Sequence, residues 1–141
     1  MNGVQTSRSV VNSVRGYIFS RPFMGERVPQ HVQNLVIRDY CKKQGLQYLL
    51  SATEYAMADS HLILQQVLDE LPQLDGIVFY SLFLLPENKP QRDQVSQIIL
   101  KNNKSIYFAV EGLRMSNQKE QERIETIWQI KKTLPQCLKG M

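Results

Sequence analysis

The stretch Gly16–Asn34, GYIFSRPFMGERVPQHVQN, holds a strand, a polar loop and the start of a helix. Tyr17-Ile18-Phe19 is a continuous apolar run, the pattern of a strand covered on both faces. The run ends at Ser20-Arg21, and the loop that follows carries Gly25 and Arg27. Pro29 suits the first position of a helix, because its fixed φ is already helical and a first turn leaves that N–H unpaired in any case. A strand that passes through a short loop into a helix is the first half of a βα unit.

The same alternation continues along the chain. After Pro29, Val32, Leu35, Val36 and Tyr40 recur at helical spacing, and Gly45 supplies the stop. Leu46–Leu50 reads as a second strand. Asp59 or Ser60 is placed to cap a second helix with Leu64, Val67, Leu68 and Leu71 inward, ended by Pro72. Ile77–Tyr80 is a third strand, and Asn88-Lys89-Pro90 opens a helix with Val95, Ile98 and Ile99 inward. Ile106–Val110 is the fourth strand. Asn117 with Glu120 forms a capping box for a last helix, about 117–134, which buries Ile124, Ile127, Trp128 and Leu134. Four such units predict a three-layer α/β domain: a mostly parallel four-stranded sheet, right-handed crossovers and helices on both faces. Residues 1–13, polar and Ser/Asn-rich, read as a flexible arm, and 14–141 as a single domain.

Composition narrows the function classes. With 141 residues, 43% of them hydrophobic, the chain supports one core. The net charge of +4 is spread along the whole length, whereas a nucleic-acid binder concentrates it on one element. Small anionic ligands suit this balance equally well. Cys41 and Cys137 match no zinc spacing and no C-x-x-C pair, so reduced thiols in a cytoplasmic protein are expected, with no metal. No apolar run has membrane length, and the first residues lack a signal-peptide core. G-x-G-x-x-G and P-loop fingerprints are both absent, and no dinucleotide or ATP cofactor is expected.

In open parallel sheets, ligands bind beyond the carboxyl ends of the strands. Four polar clusters fall there: Ser20, Arg21, Arg27 and His31; Ser51 to Tyr55; Ser81 to Glu87; and Glu111 to Arg114. Ser20 is a candidate nucleophile with His31 as its base, against a serine that only satisfies loop amides. Arg21 and Arg27, beside a helix N-terminus, are candidates to hold a phosphate or carboxylate, against a solvated pair bracing the loop. Glu54 and Tyr55 are candidates for acid–base work on a sugar hydroxyl or keto group, against helix-entry hydrogen bonding. Ser81, Glu111 and Arg114 complete the candidate ligand set, with Glu111 and Arg114 also placed to pair with each other. Phe23 and Met24, apolar on a loop, point to a lid or a subunit contact.

Two resemblances bear on these candidates. Over about residues 16–100, GYIFS, VPQHVQNLVIRDYCKKQGLQ and LDGIVFYSLFLLPEN follow the order seen in the catalytic domain of serine recombinases of the resolvase and invertase type, which the chain resembles. There a strand ends in the nucleophilic serine and a glutamine-containing helix ending in Cys-x-x-x-Gly follows; Ser20 falls on the serine position. The family's phosphate-holding arginines are replaced by Ile18, Leu84 and Glu87, none of which makes bidentate charge-assisted bonds. This resemblance implies a resolvase-like or flavodoxin-like fold without strand cleavage, and no specific nucleic-acid partner.

The second resemblance runs through RGYIFSRPFMGERVPQHVQNLVIRDYCKKQGLQYLLSATEYAM and LDELPQLDGIVFYSLFLLPE to FAVEGL. It is to the sporadic carbohydrate cluster proteins, small bacterial proteins encoded among surface-polysaccharide genes. That resemblance implies a role in O-antigen-type polysaccharide biosynthesis, with an anionic sugar or sugar nucleotide at the strand ends. The alternatives are a non-catalytic module docking on a pathway enzyme, or a recombinase-fold relic with weak DNA binding. Trp128 and the apolar stripe of the last helix, or the Phe23-Met24 loop, lead to the expectation of a homodimer.

Overall fold

The apolar run at Tyr17–Phe19 belongs to β1 (Ser13–Phe19), and all three side chains are buried. The computed structural model describes residues 12–139 except Ala58, with side chains up to Lys131. After β1 come α1 (Gln30–Gln44), β2 (Gln47–Glu54), α2 (Leu62–Asp69), β3 (Gly76–Phe79) and α3 (Lys89–Lys101). Then follow β4 (Ser105–Phe108), β5 (Leu113–Met115) and α4 (Gln118–Lys139).

The sheet order is β2-β1-β3-β4-β5. β1 pairs in parallel with β2 and β3, β3 pairs in parallel with β4, and β5 runs antiparallel to β4. The chain moves outward from β1 to β2, then back across β1 to β3. With right-handed crossovers, opposite directions of travel put the connecting helices on opposite faces. α1 accordingly covers one face, where Val14, Ile18, Ile37, Cys41 and Val78 pack together. The other face holds the larger core, in which Tyr17, Phe19, Leu64, Leu68, Phe79, Ile99, Ile124 and Trp128 are all buried. Alternate residues of β1 feed the two cores, as a strand's twofold period requires.

Several elements depart from the sequence reading. The buried stripe of α1 is Gln33, Ile37 and Cys41, not Val32, Leu35, Val36 and Tyr40, and Leu35 is exposed. Among the described residues α1 is the one helix on its face, it touches the sheet along a narrow line, and that line includes a glutamine needed at the strand end. β2 extends to Glu54, and α2 begins at Leu62 with no cap from Asp59 or Ser60. Its inward side chains Leu64, Val67 and Leu68, with Leu71 just beyond, are buried as expected. Asn88 caps α3, accepting from the Gln91 N–H at 3.2 Å.

A fifth strand was not anticipated. Gly112, at φ 66°, reverses the chain so that Leu113–Met115 folds back on β4. Three residues with a charged Arg114 at their centre carry too little alternation to be read as a strand. At α4, the Glu120 N–H donates to Asn117 Oδ1 at 2.8 Å, and the Glu120 carboxylate accepts from the Ser116 N–H at 2.7 Å. α4 continues to Lys139, past the expected end near 134. The expected arm lies outside the described residues up to residue 11, and Ser13 is already in β1. The side chains of Leu134 and Cys137 also lie outside the described residues.

A buried arginine ties the far end of the larger core together. Arg92 on α3 pairs bidentately with Glu125 of α4 at 2.7 and 2.9 Å, and donates to the carbonyls of Pro86 and Glu87 at 3.2 and 2.6 Å. Its guanidinium lies 4.4 Å from the ring centre of Trp128, whose indole N–H donates to the Leu82 carbonyl at 3.2 Å. A planar fork serves every one of these contacts, and a lysine ammonium would serve few of them. Arg92→Ala is expected to cost about 3–5 kcal/mol by leaving Glu125 and two carbonyls unpaired. Arg92→Lys should recover only part of this, as read from urea unfolding midpoints.

Gly76 marks the closest approach of two backbones. A Cβ there would lie 2.4 Å from the Ser105 carbonyl oxygen of β4. Main chain cannot step aside as a flexible side-chain end would, so Gly76→Ala is expected to lose about 1–3 kcal/mol through overpacking. The urea midpoint should fall with little change in slope.

Candidate ligand pocket at the strand ends

Where β1 ends, its backbone is satisfied by a side chain. Gln33 of α1 accepts from the Phe19 N–H at 3.0 Å and donates to the carbonyls of Phe19 and Val28, both at 2.9 Å. The loop after β1 therefore leaves the sheet from a fixed point. Here the Ser20 hydroxyl donates to the Glu54 carbonyl at 2.6 Å, and Arg21 donates to the Tyr55 carbonyl at 2.8 Å. The Arg21 guanidinium also lies 4.1 Å from the centre of the Phe19 ring.

Glu54 has a different duty from the acid–base role expected of it. Its side chain is fully buried and accepts from the Tyr17 hydroxyl at 2.7 Å and the Ser60 hydroxyl at 3.2 Å. It also accepts from the N–H groups of Ile63 and Leu64 at 3.1 and 3.0 Å, capping α2 from the neighbouring strand. Burial alone would raise the carboxyl above its ordinary value of 4.5, but the hydrogen bonds from Tyr17 and the amides of Ile63, Leu64 and Tyr55 more than offset this and hold it lower. Burial, reinforced by the bond to Glu54, pushes the Tyr17 phenol well up.

A cavity of about 220 Å³ opens above these strand ends. Phe19, Phe23 and Phe83 give it aromatic walls, and Arg21, Asp59, His61 and Glu87 supply its charged and polar groups. Phe23 is wedged between Phe19 and Tyr80, each ring centre 5.9 Å away. The cavity draws on the loops after β1, β2 and β3, the place where sheet order reverses and where ligands bind in open α/β sheets. Burial, and then the charge of Arg21, lower the His61 imidazole below its ordinary value, so it is neutral near pH 7. Its buried Nε2 has no hydrogen-bond partner among the described residues.

The expected site residues divide. Ser20, Arg21, Glu54 and Tyr55 meet at the ends of β1 and β2, but of these only Arg21 lines the cavity. Tyr55 presents its carbonyl to Arg21 while its side chain is exposed. Arg27 and His31 are exposed at the start of α1, away from the cavity lining, and no hydrogen bond joins His31 to Ser20 among the described residues. Ser81 donates to Glu111 at 2.7 Å, and Glu111 accepts from the Leu82 N–H at 3.0 Å, so the pair holds the turn that carries Phe83. Arg114 reaches Glu120 at 3.6 Å, not Glu111. Sequence reasoning missed Gln33, Asp59 as a pocket residue, His61 and Phe83. The only signal for them was a histidine directly after the Asp59-Ser60 pair and a glutamine at a buried helical spacing.

These features define a resolvase-like α/β domain with a small pocket at its strand ends. Among solved structures, the chain is similar to the N-terminal catalytic domain of TP901-1 integrase, at 16% identity and a TM-score of 0.55, over 88% of this chain and 98% of that one. It is also similar to a resolvase family site-specific recombinase from Streptococcus pneumoniae, at 9% identity and a TM-score of 0.61, over 90% and 97%. No family model and no curated protein matches the sequence. Among the described residues, no helix is long and apolar enough to cross a membrane.

Glu54 yields a pH prediction with a definite sign. Because its folded pKa is depressed, its stabilisation is complete above the unfolded value and drains away as pH falls through the folded one. Thermal melts of the native chain should lose stability below about pH 4.5. Glu54→Gln should cost about 1.5–3 kcal/mol at pH 7, by weakening charge-assisted bonds, and should flatten that acid limb.

Proposed function

We propose that this resolvase-fold domain binds a single sugar ring in its strand-end pocket and does not cleave DNA. The observation that carries this reading is the pocket lining: three phenylalanines beside one guanidinium, two carboxylates and a neutral imidazole. Aromatic faces suit the C–H side of a pyranose, and Asp59 and Glu87 offer acceptors for its hydroxyls. The volume is below that of drug-sized sites, which suits one ring and not a whole sugar nucleotide. One positive group against two negative ones favours a hydroxyl- or amine-bearing ring over a phosphate, in place of the anionic ligand expected from the sequence. A place in surface-carbohydrate biosynthesis is proposed on the likeness carried by SRPFMGERVPQHVQN alone, since no family model matches the sequence.

Strand cleavage is opposed by packing. Ile18 and Leu84, at two of the arginine positions of the recombinase pattern, are buried in the two cores. The Ser20 hydroxyl is engaged with a backbone carbonyl. The fold itself favours a second reading, a relic that holds DNA weakly through sequence-independent phosphate contacts.

Amide NMR spectra recorded with glucose, glucosamine, glucose 1-phosphate, UDP-glucose and a DNA duplex separate these readings. Shifts confined to Phe23, Asp59, His61 and Phe83, larger for glucose or glucosamine than for glucose 1-phosphate, are the expected result. The absence of shifts at those amides with every sugar, or a covalent Ser20 adduct on a suicide DNA substrate, would overturn it.

A further inference from the structure

Among the described residues, three other than glycine have positive φ: Met24 at 51°, Asp59 at 63° and Asn103 at 56°. Asn103 follows α3, where asparagine adopts this conformation readily. Met24 and Asp59 come from different loops, yet both line the strand-end pocket. Aspartate, like asparagine, adopts this conformation readily, whereas at methionine it is disfavoured, and such strained positions gather at ligand sites when the surroundings enforce them.

The Met24 turn shows what enforces it. The Phe23 N–H donates to the Glu26 carbonyl at 2.9 Å, and the Glu26 N–H donates to the Phe23 carbonyl at 3.0 Å. Between them Met24 and Gly25 both have positive φ, at 51° and 79°, the geometry of a two-residue type I′ turn. Such a turn favours Asn, Asp or Gly at its first central position, and a long thioether there is a poor fit to the backbone. Gly25 has the expected chemistry; Met24 does not.

We infer that Met24 occupies this position for its side chain and is a specificity-determining residue of the pocket, covering the apolar side of the bound ring beside Phe23. The inference rests on the sugar-ring reading of the pocket. Its chemistry is consistent: an unbranched, polarizable side chain adapts to a ring face, and Met24 is exposed at the rim of the pocket.

Met24→Asn tests this, because it gives the turn its favoured Asn-Gly pair while removing the apolar cover. Melting temperature and affinity for glucose and glucosamine are measured on the native chain, Met24→Asn and Met24→Leu. The expected result is that Met24→Asn raises the melting temperature by about 2–6 °C, as relief of left-handed strain implies. It should weaken sugar binding about tenfold, the order of a lost apolar contact. Met24→Leu should keep the affinity without the gain in stability. A more stable Met24→Asn that binds as tightly as the native chain overturns the inference and leaves the sugar reading standing. A lower melting temperature for Met24→Asn also overturns it, since the turn would then not be under strain. If the native chain binds none of the sugars, the sugar reading fails and the role of Met24 falls with it.

Discussion

The Glu54 carboxylate is the constraint on which this strand end depends. It sits at the end of β2, and a carboxylate out of water is tolerated only when its lone pairs are filled. Tyr17 from β1, Ser60 from the following loop and two amides of α2 fill them. One side chain thus joins two strands and a helix start. Its oxygens place the first turn of α2, and that turn sets His61 and the loop that carries Asp59. The pocket's second wall follows from a buried charge, not from any group aimed at a ligand.

The first and third walls have their own supports. Gln33 takes over the role of the sheet ladder where β1 runs out, so that Ser20 and Arg21 leave from a fixed backbone. Glu111 and Ser81 hold the turn that presents Phe83, and Arg92 anchors the segment just beyond it to α3 and α4. Of the polar side chains that looked chemically poised in the sequence, Ser20, Glu54, Ser81 and Glu111 are spent on holding loops, Arg27, His31 and Tyr55 are exposed outside the cavity lining, and Arg21 lines it. Even that guanidinium is partly engaged, stacked on Phe19 and bonded to the Tyr55 carbonyl. The pocket that results is shaped more by aromatic rings than by charge.

The likeness to recombinase catalytic domains is one of fold, and a fold by itself does not fix a reaction. In this chain the strand order and the two cores depend on apolar pattern and length. Ile18 and Leu84, which the resemblance read from the sequence sets at arginine positions, both contribute to these cores. Fold and reaction are separable at these positions.

The α/β class, the parallel pairing and the approximate place of four strands and four helices were legible in the sequence, because they follow from local periodicity and from residues such as Pro29, Asn88 and Gly45 that act on their own neighbours. The strand ends were legible as the region of the site for the same reason. What only the tertiary structure decided was which polar residues remain for a ligand. Glu54 is a cap for amides nine and ten residues away, which a reading of adjacent residues assigned to Asp59 or Ser60. β5 exists because Gly112 folds three residues back on an edge already present, and Gln33 is buried because the end of β1 needs both a donor and an acceptor. Periodicity records the face a residue is on; hydrogen-bond demand at a strand end is known only once the strands are in place.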